Sequence, residues 1–367
     1  MRSARALPFR NGATPVSEWR LLIDRPIVLL ASERSGGNLL RAILGSHSQI
    51  VAPSPVHFLI SFDPLLPLYG DLCEDANFRQ ACEDVSDFFQ HQIAGQATPP
   101  EAGALFENAR ERSLVGLMDA AFYELMRGAE AQRVLLKENE AFLYAHRLAS
   151  RYPDIRFVYL VRDGRDAALS WLKSPNHFGG ITHISRTWRD EQRACLSLLC
   201  DPLLADKMHV VHYEDLVSKP REMVQSLCDF VQVDFEGDML AFHSRDEIRE
   251  QSAGVRNWEN LSKPIMGENF NKHERELGWW RAQTFNQVAH RELAALGYEV
   301  PKASAIHKVG NQALDASKEA VGLAWKAVRG HVPKPVEILV RAKRRRNFGR
   351  ITSELEARQR PRWPRKS

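Results

Sequence analysis

No apolar stretch in the sequence approaches the ~18–20 residues that a bilayer-spanning helix needs, so a helical membrane protein is not expected. Cysteine is scarce. Cys73, Cys82, Cys195, Cys200 and Cys228 are odd in number and none has CxxC spacing, which argues against a disulfide framework or a cysteine zinc site. Reduced thiols, mostly buried, are the expectation. Met1–Arg10 holds arginines without an apolar segment behind them, so no secretory signal is expected and the predicted location is cytoplasmic. There is no internal repeat and no convincing metal-ligand spacing.

What is present is an ordinary globular composition, 44% hydrophobic and 26% charged, which excludes disorder and collagen-like chains. At 367 residues the chain can bury a large core in one or two domains. Its formal charge of +4 is uneven: residues 301–367 carry 17 Lys/Arg against 5 Asp/Glu, leaving −8 on residues 1–300. The expected organisation is a lead-in over residues 1–24, a main domain over 25–300 and a basic tail over 301–367.

Short unalternating apolar runs occur at residues 26–32, 134–136, 157–161 and 209–213, as expected of strands buried on both faces. Helical patterns over 38–45, 113–127, 141–151, 165–173, 185–200 and 221–231 lie between or beside them. This alternation predicts an α/β fold with a mostly parallel sheet. Ligands of such sheets bind beyond the C-terminal strand ends. The proline-rich stretch 52–100 shows no clean period and reads as loops and short helices.

After the first strand comes Ser32-Glu33-Arg34-Ser35-Gly36-Gly37-Asn38, followed by the helical Leu39–Leu44. A small-residue loop entering a helix gathers free backbone N–H groups at the positive end of the helix dipole, which suits an anion. Arg34 adds a fixed charge and a fork of donors. The loop is no Walker A, because Asn38 follows Gly37 where that motif has lysine. A tight strand-to-helix turn with incidental glycines is the competing reading. The strand at 157–161 ends in Arg162-Asp163-Gly164-Arg165-Asp166, with Ser170 within the first turns of the next helix. Arg162 and Ser170 are positioned to converge on a second phosphate, and a surface ion-pair cluster is the alternative. Two such strand ends suggest a ligand with two separated phosphates.

Taken together, ASERSGGNLLRAIL and VYLVRDGRDAALS resemble the 5′-phosphosulfate loop (usual form PRSGTTLLR) and the 3′-phosphate motif of sulfotransferases that use 3′-phosphoadenosine 5′-phosphosulfate (PAPS). Val134–Asn139 resembles their lysine-bearing strand end, and Val211–Leu216 resembles their RYEDL segment. The resemblance covers roughly residues 25–235 and is closer to the bacterial and tyrosylprotein-type branch. It implies a three-layer α/β/α, P-loop NTPase-like fold and transfer of a sulfonate to a hydroxyl or amine, with release of adenosine 3′,5′-bisphosphate and no metal. It also implies roles. Arg34 would meet the 5′-phosphate and the sulfonate, and Ser35, Gly36, Gly37 and Asn38 would cradle the 5′-phosphate. Lys137 would neutralise the sulfonate, Arg162 and Ser170 would hold the 3′-phosphate, and Tyr213 would lie near the adenine or its phosphate. Lys263 or Lys272, in a looser match over 252–272, would reach the nucleotide. Gly37 and Asn38 stand where the family has two threonines, which puts cofactor affinity in question.

Sulfonyl transfer also needs a base for the acceptor's proton. The glutamate that follows the loop in tyrosylprotein-type relatives has no counterpart, since residues 52–58 hold no carboxylate. His57 is the nearest candidate, with an unperturbed pKa of about 6.5. His177 and His183 are its rivals, and His47 reads as a helix-end residue. The acceptor is not legible in the sequence. The tail, with Leu314, Val321, Trp325 and Val328 near one helical face and a basic run at 341–346, suggests contact with an anionic membrane surface or an acidic acceptor. A solvated, partly disordered tail is the competing reading, and nucleic acid is not expected. Two alternatives remain: a nucleotide-binding relative without catalysis, and a phosphoryl-transfer enzyme of related fold.

Overall fold

The computed structural model describes residues 22–90, 99–174, 179–253 and 256–301. The basic tail and His177 lie outside the described residues. Five strands form one sheet: β1 (Ile27–Ala31), β2 (Ile50–Val51), β3 (Arg133–Lys137), β4 (Arg156–Val161) and β5 (Met208–His212). Their order is β2-β3-β1-β4-β5, and every pairing is parallel.

Burial explains why the strands read as continuous apolar runs. Val28, Leu30, Val134, Leu136, Phe157 and Tyr159 pack into the core on one face. Ile27, Leu29, Ala31, Leu135, Val158 and Leu160 pack into a second core on the other. With period-2 side chains, both faces must be covered by helices. The second face carries α1 (Gly37–Leu44), α9 (Tyr213–Ser218), α10 (Pro220–Val231) and α11 (Asp246–Ala253). The first face carries α2 (Phe58–Phe62), α3 (Asp75–Gln90), α4 (Ala102–Asn108), α5 (Leu114–Gly128), α6 (Ala145–Arg151), α7 (Gly164–Lys173), α8 (Ile181–Leu199) and α13 (Trp279–Ala295). The short α12 (His273–Glu276) packs beside α7. The expected three-layer α/β/α architecture is therefore present.

Two differences from the sequence reading concern elements. The stretch 52–100 contains α3, sixteen residues long and joined to the core through Phe78, Ala81, Cys82, Val85 and Phe89. Its apolar face was obscured by the proline-rich approach and by buried polar residues, for Tyr69 donates to a buried Asp84 at 2.9 Å. The two-residue β2 is too short to leave a pattern. All five cysteines are free, with Cys73 and Cys200 exposed and the others buried. Among the described residues, no helix is long and apolar enough to cross a membrane.

Sheet order places the site. β1 is central, and the chain leaves it toward β3 on one side and β4 on the other, making a topological switch point. Leu29 lies opposite Lys137 and Ala31 opposite Leu160. The residues just past β1, β3 and β4 thus meet at one edge.

Candidate active site

At that edge lies a cavity of about 380 Å³. It is lined from β1 and its loop by Ser32, Glu33, Arg34, Gly36, Gly37 and Asn38, and from β3 by Lys137. Arg162, Asp166, Ser170 and Lys173 contribute from β4 and α7. Tyr213 begins α9, and residues 260–272 cover the remaining side with Asn260, Asn269 and Lys272. Segments far apart in sequence, each read as a separate signal, share this one cavity.

The loop is built for close approach. Gly36 caps α1 with φ 92°, and a Cβ there would fall 2.4 Å from the Tyr213 ring. A Cβ on Gly37 would fall 2.7 Å from Cε of Lys137. Only glycine at the first position both adopts this backbone at no steric cost and admits the ring. Arg34 is itself left-handed, with φ 68°, an uncommon conformation for a residue with a side chain. Its Nε donates to Ser170 Oγ at 3.1 Å, so the loop is tied directly to α7. Ser35 is buried beneath the loop, outside the cavity lining. Ser35 Oγ and Asn38 Oδ1 are buried without a hydrogen-bond partner.

Arg162 is the hinge pin of the arrangement. Its guanidinium donates to the carbonyls of Arg34 at 3.1 Å and Asn269 at 3.0 Å, and it lies over the Tyr213 ring at 4.3 Å. Its Nε is buried without a hydrogen-bond partner. Tyr213 Oη accepts from Asn269 Nδ2 at 2.7 Å, which fixes the ring. The second arginine of the motif does something else: Arg165 is buried, and its Nε donates to Asp163 at 2.9 Å. Asp166 accepts from the amide of His273 at 2.7 Å and contacts its ring at 3.0 Å. Burial pushes the Asp166 carboxyl up, but the His273 contacts and the Arg162 charge outweigh it and hold it below the usual range. RDGRD is therefore a buried scaffold around one cavity-facing arginine.

Lys137 donates to Asn139 Oδ1 at 3.1 Å. Burial lowers its pKa to about 8 against the pull of Glu33, Glu138 and Glu140. Next to it, Glu138 is buried and accepts from the amide of Phe58 at 3.0 Å, and burial raises its pKa to about 8.

Besides Ser35, two expected positions fall outside the cavity lining. His57 is absent from the cavity lining. It caps α2 with φ 55°, placed by the bond between the Phe58 amide and Glu138. Lys263 is exposed, with Nζ 3.3 Å from Asn260 Oδ1, and it is Lys272 that lines the cavity, donating to Asn269 Oδ1 at 2.6 Å. The bend through Pro264–Asn269 turns Lys263 outward and brings Lys272 back. His183 is exposed on α8 and also absent from the lining, while buried His47 bonds to the Asp234 carbonyl at 2.8 Å, as a helix-end residue should. Sequence reasoning passed over Glu33, Asn139 and Asn269. A charged residue directly at the end of an apolar strand was the available signal for Glu33.

A parallel α/β sheet whose switch point gathers Arg34, Lys137, Arg162 and Lys272 around one cavity is an arrangement suited to an anionic ligand. The chain matches the profile of the sulfotransferase family over residues 26–237, and it belongs to that family. Among solved structures it is similar to the sulfotransferase domain from the curacin biosynthetic pathway, at 19% identity and TM-score 0.50, covering 76% of this chain and 99% of that one. It is also similar to the sulfotransferase domain from the Synechococcus PCC 7002 olefin synthase, at 23% identity and TM-score 0.51, covering 76% and 97%. Both likenesses are of fold. No curated protein matches the sequence.

Proposed function

We propose that the protein transfers the sulfonate of PAPS to a hydroxyl or amine of an acceptor and releases adenosine 3′,5′-bisphosphate. The observation that carries this reading is the joining of two strand-end cation sites in one cavity. Arg34 with the glycine loop lies at the end of β1, Arg162 and Ser170 lie at β4 and α7, and Lys137 lines the same cavity from β3. The donor's charges fit this layout. The buried Nε of Arg162, a donor without a hydrogen-bond partner, and the glycine cradle are what a phosphate-bearing ligand would satisfy. Gly37 and Asn38 replace the family's threonines, so backbone N–H groups at the start of α1 and the Asn38 amide take over the contacts those hydroxyls would make.

In-line transfer to an acceptor oxygen depends on positioning and on cations where charge develops, here Arg34 and Lys137. Calorimetric titration with adenosine 3′,5′-bisphosphate against ATP tests the reading. Preferential binding of the bisphosphate is expected, and preferential binding of ATP would overturn it.

A further inference from the structure

Once His57 is seen outside the cavity lining, the acceptor's proton needs another destination. Of the side chains lining the cavity, Glu33 and Asp166 are the carboxylates. Asp166 is buried on the α7 side, its Oδ1 bonded to His273 and its Oδ2, without a hydrogen-bond partner, 3.9 Å from the Arg162 guanidinium. Glu33 lies on the β1–β3 side, directly before Arg34 in sequence. Its Oε1 accepts from Asn139 Nδ2 at 3.0 Å, and Asn139 Oδ1 accepts from Lys137 Nζ at 3.1 Å. The asparagine amide thus bridges a carboxylate to the ammonium, and both ends of the bridge line the cavity. We infer, on the basis of the sulfotransferase reading above, that Glu33 is the catalytic residue that takes the acceptor's proton, with Asn139 as the positioning residue that holds it beside Lys137.

The step balances. The acceptor O–H bond breaks and its proton goes to the Glu33 carboxylate. The acceptor oxygen bonds to the sulfonate sulfur. The bond from sulfur to the bridging oxygen breaks, and its electron pair leaves on the 5′-phosphate of adenosine bisphosphate. Glu33 then returns the proton to solvent. The surroundings suit a proton acceptor. Lys137 and Glu140 face this wall from the end of β3, Glu191 from α8, and Arg34 from the loop itself. Burial raises Glu191 to about 7 and the Glu33 and Glu140 charges push it further up, while its bond to Ser32 pulls it down. Burial also raises Glu140. Carboxyl groups are therefore gathered on this wall, beside Lys137 and Arg34.

Water serves as the probe acceptor, followed as release of labelled sulfate from PAPS by the full chain. Glu33→Gln keeps an oxygen for Asn139 but accepts no proton. It should slow release by at least a hundredfold, the lower range for a general base, while binding adenosine 3′,5′-bisphosphate as the wild type does. The acidic limb of the pH–rate profile should disappear in this variant. Glu33→Ala should regain activity on addition of formate, which a merely structural role would not produce. Release within threefold of wild type in Glu33→Gln, or loss of turnover in His57→Ala with Glu33→Gln intact, overturns the assignment. Failure of the wild type to bind the bisphosphate would instead overturn the sulfotransferase reading on which it rests.

Discussion

Substituting Gly36 by alanine tests how the loop, Tyr213 and Arg162 are coupled. The first cost is backbone. At φ 92° a residue with a Cβ carries a penalty of about 1–2 kcal/mol. The second is steric. The new Cβ would sit 2.4 Å from Cδ2 and 2.6 Å from Cε2 of Tyr213, so the ring must retreat by about 1 Å to reach ordinary contact. The ring is not free to do so cheaply. Its hydroxyl is held by Asn269 at 2.7 Å, and the Asn269 carbonyl holds Arg162 at 3.0 Å. Losing that hydrogen bond adds about 1 kcal/mol, for a total of about 2–3 kcal/mol in stability. Displacing Arg162 from a phosphate removes a charge-assisted contact of about 1.5–3 kcal/mol, which is roughly ten- to a hundredfold in affinity. Thermal melts and calorimetry with adenosine 3′,5′-bisphosphate read the two effects separately. Gly37→Ala is the matched control, because its Cβ meets only the movable end of Lys137 at 2.7 Å and Ala31 at 3.4 Å, and its φ is not positive. It should spare stability and depress turnover through Lys137. If Gly36→Ala binds the bisphosphate within twofold of wild type, the coupling argument is wrong.

Arg162→Ala should weaken bisphosphate binding ten- to a hundredfold by calorimetry, and Arg162→Lys should restore little, since one ammonium cannot reach both the Arg34 and Asn269 carbonyls. Lys137, lowered by burial to about 8, loses its charge as pH rises through that value, so sulfate release from PAPS should fall above pH 8 and Lys137→Arg should abolish that limb. Glu138 binds its proton more tightly folded than unfolded. Stability should therefore fall as pH rises from about 4 toward 8, and Glu138→Gln, still able to accept from Phe58, should flatten the dependence in denaturant titrations. The basic segment 301–367, mostly outside the described residues, is expected to draw the protein to anionic vesicles, and sedimentation with and without residues 302–367 checks this.

Legibility of the fold followed burial. β1, β3 and β4 are largely apolar on both faces because they are covered on both faces, and they stood out in the sequence, while the edge strand β5 is half-buried and carries His209 and His212. α3 did not stand out, because its buried face includes Asp84 and Ser86, whose burial only a structure reveals. The cavity loops were legible because small residues and arginines directly after an apolar strand form a local pattern. The placement of His57 was not, because nothing in a sequence says whether a histidine eighty-one residues before Glu138 faces the cavity or caps a helix. The choice between Lys263 and Lys272 likewise turned on a bend that local pattern does not encode.

The net charge of −8 on residues 1–300 coexists with a cavity lined by cations, and the partners of those cations explain how. Among the arginines that brace the scaffold, buried Arg165 is matched by Asp163 and half-buried Arg151 by Asp119, while buried Arg41 and Arg133 are held by backbone carbonyls. Lys173 in the cavity wall pairs with Glu276, but Arg162, Lys137 and Lys272 are held differently. Arg162 is held at hydrogen-bond distance by two carbonyls, with Asp166 farther off at 3.9 Å. Lys137 and Lys272 each donate to an asparagine amide oxygen. A neutral acceptor orients a cation without cancelling its charge, so the field at the cavity stays positive even though the domain as a whole is acidic. Asn139 is where this logic can be tested most directly. Asn139→Asp keeps the geometry toward Lys137 but adds a charge that raises its pKa, so the fall in turnover above pH 8 should move to higher pH while bisphosphate affinity drops. A limb that stays at pH 8 would mean that Asn139 does not set the electrostatics of Lys137, and the distinction between orienting and neutralising partners would lose its support.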